Sequence, residues 1–566
     1  MTSCLLLFVS VAMAAEVTTE RSVTMKTRDG VVLRADVYRP KAGGKFPVLL
    51  ERTPYNKGEG NSELGMRAAA LGYVVIIQDV RGRFTSEGEW YPFKHESEDG
   101  YDTVEWAASL PYANGKVGMF GGSYVGATQM LAAIAAPPHL AGVFPVVTAS
   151  NYHDGWTYQG GAFEQWFNES WTSGLVQDTL DRRLRGSGNA MKWIWKLPLT
   201  TYPFVDVPNP SSLAGYFMDW AHHPDFDDYW KQWSIEDHYT NVKVPAYSVG
   251  GWYDIFQGGT IRNYAGLKTR VAGQRLMMGP WYHGPFNGKA GDLDFGASAR
   301  GDTDSEMLRW YDHLLRNIDN GAGRDKPVKI FVMGRNVWRN EDDWPLARAR
   351  VTHYFLHSAG SANTRMGDGA LSLSAPEAEQ ADHYIYDPAN PVPTHGGGLC
   401  CDNDHLSSGA FDQRTIEERQ DVLVYTTPAL SSDFEVSGPI AVELYVGSSA
   451  VDTDFTAKLV DLWPNGFAQN LTDGILRARY RSSHSSPEPM KAGKVYKIRI
   501  DMWNSSNVFL AGHRLRLDIS SSNFPRFDRN LNTGEAAGTS SSMVKAENTI
   551  YHDAQHPSAL ILPVVP

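Results

Sequence analysis

Three residues that could together hydrolyse an acyl bond stand far apart in the chain: Ser123, Asp254 and His283. A serine hydroxyl is a weak nucleophile at its free pKa, so a histidine must take its proton and later return it. A carboxylate must hold the imidazole tautomer and stabilise the imidazolium. The order Ser, Asp, His is that of α/β-hydrolases and leaves room for an insertion before the acid. The three residues predict a nucleophilic acyl-transfer site.

The segment around Ser123 has the composition of a nucleophile elbow. An apolar run at residues 116–120 leads into Gly121-Gly122-Ser123, and helix-forming residues 127–133 follow. A serine on a sharp strand-to-helix turn holds its Oγ clear of the sheet and needs small neighbours. The segment departs from G-x-S-x-G because Val125 replaces the second glycine and Gly126 comes one residue later. Taken alone, the segment fits an ordinary serine in a turn better than a nucleophile. The catalytic interpretation therefore depends on Asp254 and His283.

Each of the two partners follows a predicted strand. Asp254 comes after the run at residues 244–249, and His283 after the run at 274–278. In an open parallel sheet, ligands bind outside the carboxyl ends of the strands, so loops that are distant in sequence converge there. Taken singly, the aspartate fits a turn or cap and the histidine a packed or surface position. The ordered set of three favours catalysis.

Tyr55 is a candidate donor to the oxyanion. It follows the predicted strand at residues 46–50, and loops in that place supply oxyanion donors in α/β-hydrolases. Its phenolic O–H would act together with the backbone N–H of Tyr124. A buried structural tyrosine is the alternative that spacing alone leaves open.

Length and charge limit the class of protein. The 566 residues exceed what one hydrophobic core supports, so two or three domains are expected. The net charge of −12 comes without a basic cluster, which excludes nucleic acid and anionic membranes as partners because neither would gain electrostatic attraction. We expect a small-molecule ester or amide substrate, and the sequence leaves a homo-oligomer open.

No cofactor or metal is predicted. Gly396-Gly397-Gly398 lacks the Lys-Ser/Thr of a phosphate loop, which argues against nucleotide binding. His395, Cys400, Cys401 and His405 cluster in sequence, but adjacent cysteines rarely chelate one ion and no second cysteine pair exists. A vicinal disulfide or two buried thiols is the expectation for this pair.

Residues 1–14 predict a secretory signal peptide. The apolar run at 4–14 is too short to span a bilayer and ends in the A-x-A pattern Ala12-Met13-Ala14. The n-region departs from the usual signal because Met1-Thr2-Ser3 carries no basic residue. We therefore expect a secreted or periplasmic protein with no membrane span.

The chain predicts an α/β core that is interrupted by an insertion and followed by an all-β domain. Short β-rich runs alternate with helical stretches up to about residue 150, which indicates a mostly parallel sheet. The next segment is rich in Trp, Tyr and Asp and helical without clear strands, as expected of a cap. Later alternating runs indicate a jelly-roll β-sandwich. The predicted boundaries are 1–14 for the signal peptide, 15–150 and 240–350 for the α/β-hydrolase core, 151–239 for the helical cap and 351–566 for the jelly roll.

An ordered series of motifs resembles the peptidase S15 family of CocE/NonD-type serine hydrolases. The resemblance implies Ser123, Asp254 and His283 as the triad, the Tyr55 hydroxyl and Tyr124 N–H as the oxyanion hole, and a helical cap. Similarity extends to residues 412–425 and 512–517, which look like strands of that family's jelly-roll domain. The motifs are Arg52-Thr53-Pro54-Tyr55, Asp79-Val80-Arg81-Gly82-Arg83, Gly121-Gly122-Ser123-Tyr124-Val125-Gly126, Gly251-Trp252-Tyr253-Asp254 and Trp281-Tyr282-His283-Gly284.

One departure from related sequences bears on the substrate. The α-amino acid ester hydrolases, which this chain resembles, bind the substrate ammonium with acidic residues soon after the triad aspartate, where this chain has Ile255, Phe256 and Gln257. The cap segment at residues 152–163 looks instead like that of glutaryl-7-aminocephalosporanic acid acylases. We therefore expect an esterase or amide acylase that acts on a small or medium acyl group.

Two alternatives stay open. An X-Pro dipeptidyl-peptidase needs a carboxylate for the free N-terminus of its substrate, and Asp154, Glu164 or Glu169 in the cap could supply it. A protein of another class would use the jelly roll and its aromatic residues to bind carbohydrate or a cell surface, with a vestigial hydrolase half. The intact Ser-Asp-His set argues against the second alternative.

Overall fold

The computed structural model describes residues 16–183, 191, 194–201, 213–536 and 538–566. The predicted signal peptide lies outside these residues. The chain divides into two compact units. The first comprises the chain up to Trp90, His95–Phe144 and Thr303–Gly323, and the second comprises Tyr91–Lys94, Pro145–Asp302 and Arg324–Pro566.

The first unit is an α/β layer structure with strand order β1-β2-β4-β3-β5-β6. β3 pairs in parallel with β4 and β5, whereas β1 and β2 add an antiparallel edge. All six residues of β4 are buried, as expected for a parallel strand covered on both faces. Its elements are β1 (Val17–Lys26), β2 (Val32–Pro40), β3 (Phe46–Thr53), α1 (Glu63–Ala70), β4 (Val74–Asp79), α2 (Glu96–Ser109), β5 (Ala113–Gly122), α3 (Tyr124–Ala135), β6 (Leu140–Val146, whose last two residues fall in the second unit) and α8 (Thr303–Arg316).

The second unit begins with the predicted cap, which is mostly helical and packed through aromatic rings. Phe93 stacks on Tyr152 at 3.9 Å between ring centroids, and Trp171 stacks on Trp220 at 6.1 Å. Two short strands were not predicted; they form a hairpin at Gly160-Gly161, where both glycines have positive φ. The cap elements are β7 (Tyr158–Gln159), β8 (Ala162–Phe163), α4 (Gln165–Arg183), α5 (Gly215–His222) and α6 (Asp228–Lys231).

After the cap, parallel strands return, as predicted. β10 pairs in parallel with β9 and β13, and β14 closes this group as an antiparallel edge. The strands β9 and β10 are almost entirely buried. The elements are β9 (Tyr247–Tyr253), α7 (Gln257–Leu267), β10 (Arg275–Tyr282), β11 (Lys289–Ala290), β12 (Leu293–Asp294), β13 (Val328–Val332) and β14 (Val337–Glu341).

The rest of the second unit is all-β, which confirms the predicted class of the C-terminal domain. Eleven strands form one extensively antiparallel system with the order β17-β24-β19-β25-β15-β16-β18-β23-β20-β21, and β22 pairs with β19. The strands are β15 (Arg350–His357), β16 (Ala370–Ser372), β17 (Asp382–Tyr386), β18 (Leu423–Thr426), β19 (Phe434–Ser448), β20 (Asp454–Leu462), β21 (Ala468–Arg477), β22 (Tyr496–Phe509), β23 (Arg514–Ser520), β24 (Ala546–Tyr551) and β25 (Ala559–Val565).

Candidate active site

Ser123 stands between β5 and α3 with the backbone of a nucleophile elbow. Its φ of 60° and ψ of −127° are unusual for a residue with a side chain, and such strain is maintained where the surrounding structure requires it. Gly121 has φ 125°, and a Cβ there would lie 2.2 Å from Cγ1 of Val125. The glycine therefore makes room for the valine that replaces the second glycine of the usual motif.

Tyr55 follows β3 at the same edge of the first unit as Ser123. β3 and β5 are parallel neighbours with Leu50 paired to Met119, so their carboxyl ends point the same way. The Tyr55 side chain is 39% exposed. The alternative of a buried structural tyrosine is therefore wrong, and the ring is accessible at the end of the sheet where ligands bind.

A buried ion pair holds the ring of Tyr124, the first residue of α3. The Tyr124 hydroxyl donates to Oε1 of Glu96 at 3.1 Å, and Oε2 of Glu96 lies 2.8 Å from Nη1 of Arg52. Burial raises the pKa of Glu96, and Arg52 opposes that shift. Glu96 was not predicted from the sequence, although its partner Arg52 belongs to the motif that ends at Tyr55.

Asp254 and His283 meet in the second unit because of strand register. Tyr253 of β9 pairs with Tyr282 of β10, so the next residue of each strand emerges beside the other. Nδ1 of His283 lies 3.0 Å from Oδ2 of Asp254. The second carboxylate oxygen, Oδ1, accepts a hydrogen bond from the backbone N–H of Phe256. The imidazole and this amide thus bind different oxygens of a carboxylate that is 1% exposed.

A glycine allows β9 and β10 to approach closely here. A Cβ on Gly251 would lie 2.2 Å from the carbonyl oxygen of Trp281. The motifs that contain Asp254 and His283 therefore lie against each other at Gly251 and the backbone of Trp281. This contact explains why the motif before the aspartate needs a glycine.

Aromatic side chains surround the histidine on the cap side of the second unit. The ring of Phe256 meets His283 edge to face at 5.2 Å, and it stacks on Trp156 at 4.4 Å with an interplanar angle of 10°. Phe167 lies 5.4 Å from Phe256. Gln257 turns away from this cluster, because its amide donates to the carbonyl of Asn504 and accepts from the N–H of the same residue. The histidine therefore contacts the aromatic ring of Phe256 besides the carboxylate of Asp254.

Of the three cap carboxylates, which all belong to the second unit, Glu164 and Glu169 are buried and Asp154 is partly buried. Burial disfavours ionisation of Asp154, but Arg262, with Nη1 at 3.3 Å, lowers the pKa of Asp154 below its usual value. Burial raises the pKa of Glu164 to about 8 even though Arg526 lies 3.7 Å away. Burial also raises the pKa of Glu169 well above its usual value. Asp154 is thus paired with an arginine, whereas burial shifts Glu164 and Glu169 toward the protonated form.

Cys400 and Cys401, for which a vicinal disulfide or two buried thiols were expected, form a vicinal disulfide. Within the described ranges, no group of three or more His, Cys, Asp or Glu side chains could hold a metal ion. No helix in the described part of the chain is long and apolar enough to cross a membrane.

Two family models match the chain in order. The model of the X-Pro dipeptidyl-peptidase (S15 family) matches residues 29–285. The model of the X-Pro dipeptidyl-peptidase C-terminal non-catalytic domain matches residues 320–561. The first match includes Ser123, Asp254 and His283, and the second runs from before β15 into β25, the last strand.

Similar proteins include esterases and a peptidase. The cocaine esterase of Rhodococcus sp. (strain MB1 Bresler) is 38% identical, with 96% of this chain and 98% of that protein covered. A putative serine esterase of Mycobacterium bovis is 25% identical, with 89% and 90% covered. Among solved structures, an aminopeptidase from a marine sediment Thaumarchaeota archaeon has a TM-score of 0.83 at 25% identity, covering 100% of this chain and 99% of its own. An α-amino acid ester hydrolase has a TM-score of 0.82 at 25% identity, with 99% and 98% covered. The chain therefore belongs to the peptidase S15 family and is a serine hydrolase.

Proposed function

We propose that this protein hydrolyses carboxylic esters or amides through a covalent acyl-enzyme on Ser123, with His283 as the general base and acid and Asp254 as its partner. The observation that carries the proposal is the 3.0 Å contact between Nδ1 of His283 and the carboxylate of Asp254. That contact holds the imidazole in the tautomer a serine hydrolase needs. The strained elbow at Ser123 and membership of a serine hydrolase family support the role of the serine.

In the first half of the reaction, Ser123 Oγ attacks the substrate carbonyl carbon while Nε2 of His283 takes the hydroxyl proton. Asp254 stabilises the imidazolium that forms. The tetrahedral intermediate carries its negative charge on the former carbonyl oxygen, which accepts hydrogen bonds from the Tyr55 hydroxyl and the Tyr124 N–H. The bond to the leaving group then breaks, and the imidazolium returns the proton to the leaving alcohol or amine.

In the second half, water replaces the leaving group. His283 takes a proton from the water as its oxygen attacks the acyl-enzyme carbonyl, and the same two donors stabilise the second oxyanion. The bond to Ser123 Oγ breaks, and the proton passes from His283 to Oγ. The products are a carboxylic acid and the regenerated enzyme.

The surroundings of His283 favour an uncharged acyl group. Ile255, Phe256 and Gln257 carry no carboxylate, and Gln257 is engaged with Asn504. An ammonium group transferred there would lose its hydration without gaining a carboxylate from these three residues, which is costly. We therefore propose esters or amides with apolar acyl groups ahead of substrates with a free amino terminus.

The nucleophile is tested by Ser123→Ala, with Ser109→Ala as the matched control because Ser109 is an exposed serine at the end of α2. A serine-directed fluorophosphonate should label the wild type and the control but not Ser123→Ala. Hydrolysis of p-nitrophenyl acetate should fall about 10⁴-fold or more in Ser123→Ala alone. Labelling of the Ser123→Ala protein, or near-wild-type turnover, would refute the assignment.

The substrate class is tested on one preparation with three families of compounds: p-nitrophenyl esters of rising chain length, glutaryl amides and Gly-Pro anilides. We expect the highest kcat/KM for an ester with an apolar acyl group. A preference for Gly-Pro anilides would instead establish an X-Pro dipeptidyl-peptidase. If no substrate turns over and the phosphonate does not react, the protein belongs to the alternative class of binding proteins.

A further inference from the structure

The motif Asp79-Val80-Arg81-Gly82-Arg83 has no role in the chemistry described above, although it lies beside the proposed oxyanion donor. It begins at the last residue of β4, and Asp79 pairs with Thr53 at the last residue of β3. The loop after β4 therefore starts next to the loop that carries Tyr55. All the residues concerned belong to the first unit.

Asp79 joins the two loops through its buried carboxylate. Oδ1 accepts the backbone N–H of Lys57 at 2.8 Å, two residues after Tyr55. Oδ2 accepts the Thr85 hydroxyl at 2.6 Å, in the loop after β4. Asp79 is fully buried, so these hydrogen bonds do not compete with bulk water.

Arg83 holds the other side of Tyr55. Its Nε donates to the carbonyl oxygen of Pro54 at 2.9 Å, and that carbonyl belongs to the peptide bond that Tyr55 completes. The guanidinium lies 4.8 Å from the ring centroid of Trp90, and Arg83 is only 3% exposed. A buried, planar and permanently charged donor makes a strong, directional hydrogen bond to one carbonyl.

Gly82 permits the tight turn that delivers Arg83 to this position. It has φ +70°, and a Cβ there would lie 2.2 Å from the backbone nitrogen of Trp90. The N–H of Gly82 donates to the carbonyl of Glu87 at 2.8 Å and closes the loop. Trp90 in turn packs edge to face against Tyr124 at 6.0 Å. The same loop thus contacts residues of both proposed oxyanion donors.

Three hydrogen bonds hold the backbone around Tyr55, a residue that is 39% exposed. Its own N–H donates to the Thr53 hydroxyl at 3.0 Å, Arg83 donates to the preceding carbonyl, and Asp79 accepts the N–H of Lys57. Stabilisation of an oxyanion depends on placement of the donor to within about 0.5 Å.

We propose that Arg83 is the positioning residue of the oxyanion hole: its hydrogen bond to the Pro54 carbonyl sets the position of the Tyr55 hydroxyl for the transition state. The inference rests on the proposed role of Tyr55 in ester hydrolysis. It predicts that Arg83 acts through Tyr55, so that loss of the Tyr55 hydroxyl should make Arg83 nearly irrelevant to kcat.

The test is a double-mutant cycle of Arg83→Gln and Tyr55→Phe, read as kcat and KM on a p-nitrophenyl ester. Arg83→Gln should lower kcat about 10-fold or more with KM nearly unchanged, because the lost interaction operates in the transition state. In the Tyr55→Phe background, the same substitution should lower kcat less than about twofold. Arg83→Lys, which keeps a cationic donor, should recover part of the loss.

Arg81→Gln is the matched control, because the Arg81 guanidinium binds Asp99 and Asp29 and not the Tyr55 loop. Its effect on kcat should be the same with and without the Tyr55 hydroxyl. An equal loss of kcat from Arg83→Gln in both backgrounds would overturn the inference while leaving Tyr55 as a donor. Wild-type kcat in Tyr55→Phe would overturn the role of Tyr55 and the inference with it, whereas the Ser123→Ala result would still judge the nucleophile. If Arg83→Gln does not fold, Arg83→Lys takes its place in the cycle with the same two outcomes.

Discussion

At the scale of single residues, the segment after Asp254 carries Ile255, Phe256 and Gln257, where the resemblance led us to look for acidic residues that bind an ammonium group. Ile255 and Phe256 are buried, and Gln257 is bound to Asn504, so this segment offers no carboxylate. Among the described cap residues, Asp154 is paired with Arg262, and Glu164 and Glu169 are buried. We therefore expect the site to disfavour substrates whose acyl group carries an ammonium, because no carboxylate in this segment would balance its charge.

The corresponding prediction compares a phenylacetyl ester with its α-amino counterpart, a phenylglycyl ester of the same leaving group. At a pH low enough to keep the amine charged, kcat/KM should favour the phenylacetyl ester by about 10-fold or more, because the ammonium would be desolvated without a partner. Raising the pH to deprotonate the amine should narrow the difference. A preference for the charged ester would contradict the prediction and indicate a carboxylate in the cap as the ammonium site.

At the scale of elements, the elbow between β5 and α3 depends on the first glycine of the G-x-S-x-G pattern, Gly121. Gly121 has φ 125°, in the region that side chains rarely adopt, and Val125 packs where its Cβ would be. Val125 stands where the usual motif has its second glycine. Because its side chain fills the space beside residue 121, that residue must be a glycine. The turn that presents Ser123 therefore combines backbone strain with close packing.

Gly121→Ala should consequently destabilise the protein by about 2–5 kcal/mol, from backbone strain and overpacking together. In Gly121→Ala/Val125→Ala the steric part is relieved and the strain remains, so part of the stability should return. Urea denaturation gives the free energies of unfolding of the wild type, Gly121→Ala and Gly121→Ala/Val125→Ala, which are compared. The control is Gly174→Ala, a helical site in α4 with no heavy atom within 4 Å of the added Cβ; it should be neutral or slightly stabilising. Equal stabilities of Gly121→Ala and wild type would rule out the steric account.

At the scale of the whole molecule, stability also depends on polar groups inside the all-β domain. His552 is buried with Nε2 2.8 Å from Asp382 and Nδ1 3.2 Å from Glu379. The Tyr425 hydroxyl donates to the same carboxylate of Asp382 at 2.7 Å. Burial opposes the charged imidazole, but these two carboxylates outweigh it and raise the pKa of His552 above 6.5.

A histidine whose pKa is raised on folding stabilises the native state fully below its unfolded pKa, and this contribution is lost as pH rises through the folded pKa. The thermal midpoint should therefore contain a component that falls with rising pH above about 6.5, the ordinary histidine value. In His552→Asn that component should be missing, although the variant is less stable throughout. The control His405→Asn, at an exposed histidine, should keep the wild-type slope. Parallel pH profiles for His552→Asn and wild type would show that His552 does not contribute.

Much of the fold could be predicted because it depends on local patterns. The alternating run at residues 514–519 became β23 (Arg514–Ser520), and the apolar run before Ser123 became the end of β5. The α/β core followed by an all-β domain is confirmed by the structure and by its relatives. β1 (Val17–Lys26) was missed, because only one of its ten residues is buried and its sequence lacks a clear apolar alternation.

The sequence alone determined the types and order of the candidate catalytic residues and the strands that precede them, since these are properties of short segments. Tertiary structure decided which ionisable groups have a partner beside them. The contact of Asp254 with His283 depends on the register of two strands, and the pairing of Asp154 with Arg262 joins residues 108 positions apart. Pairing, exposure and desolvation depend on neighbours brought together by packing, and no local pattern specifies those neighbours.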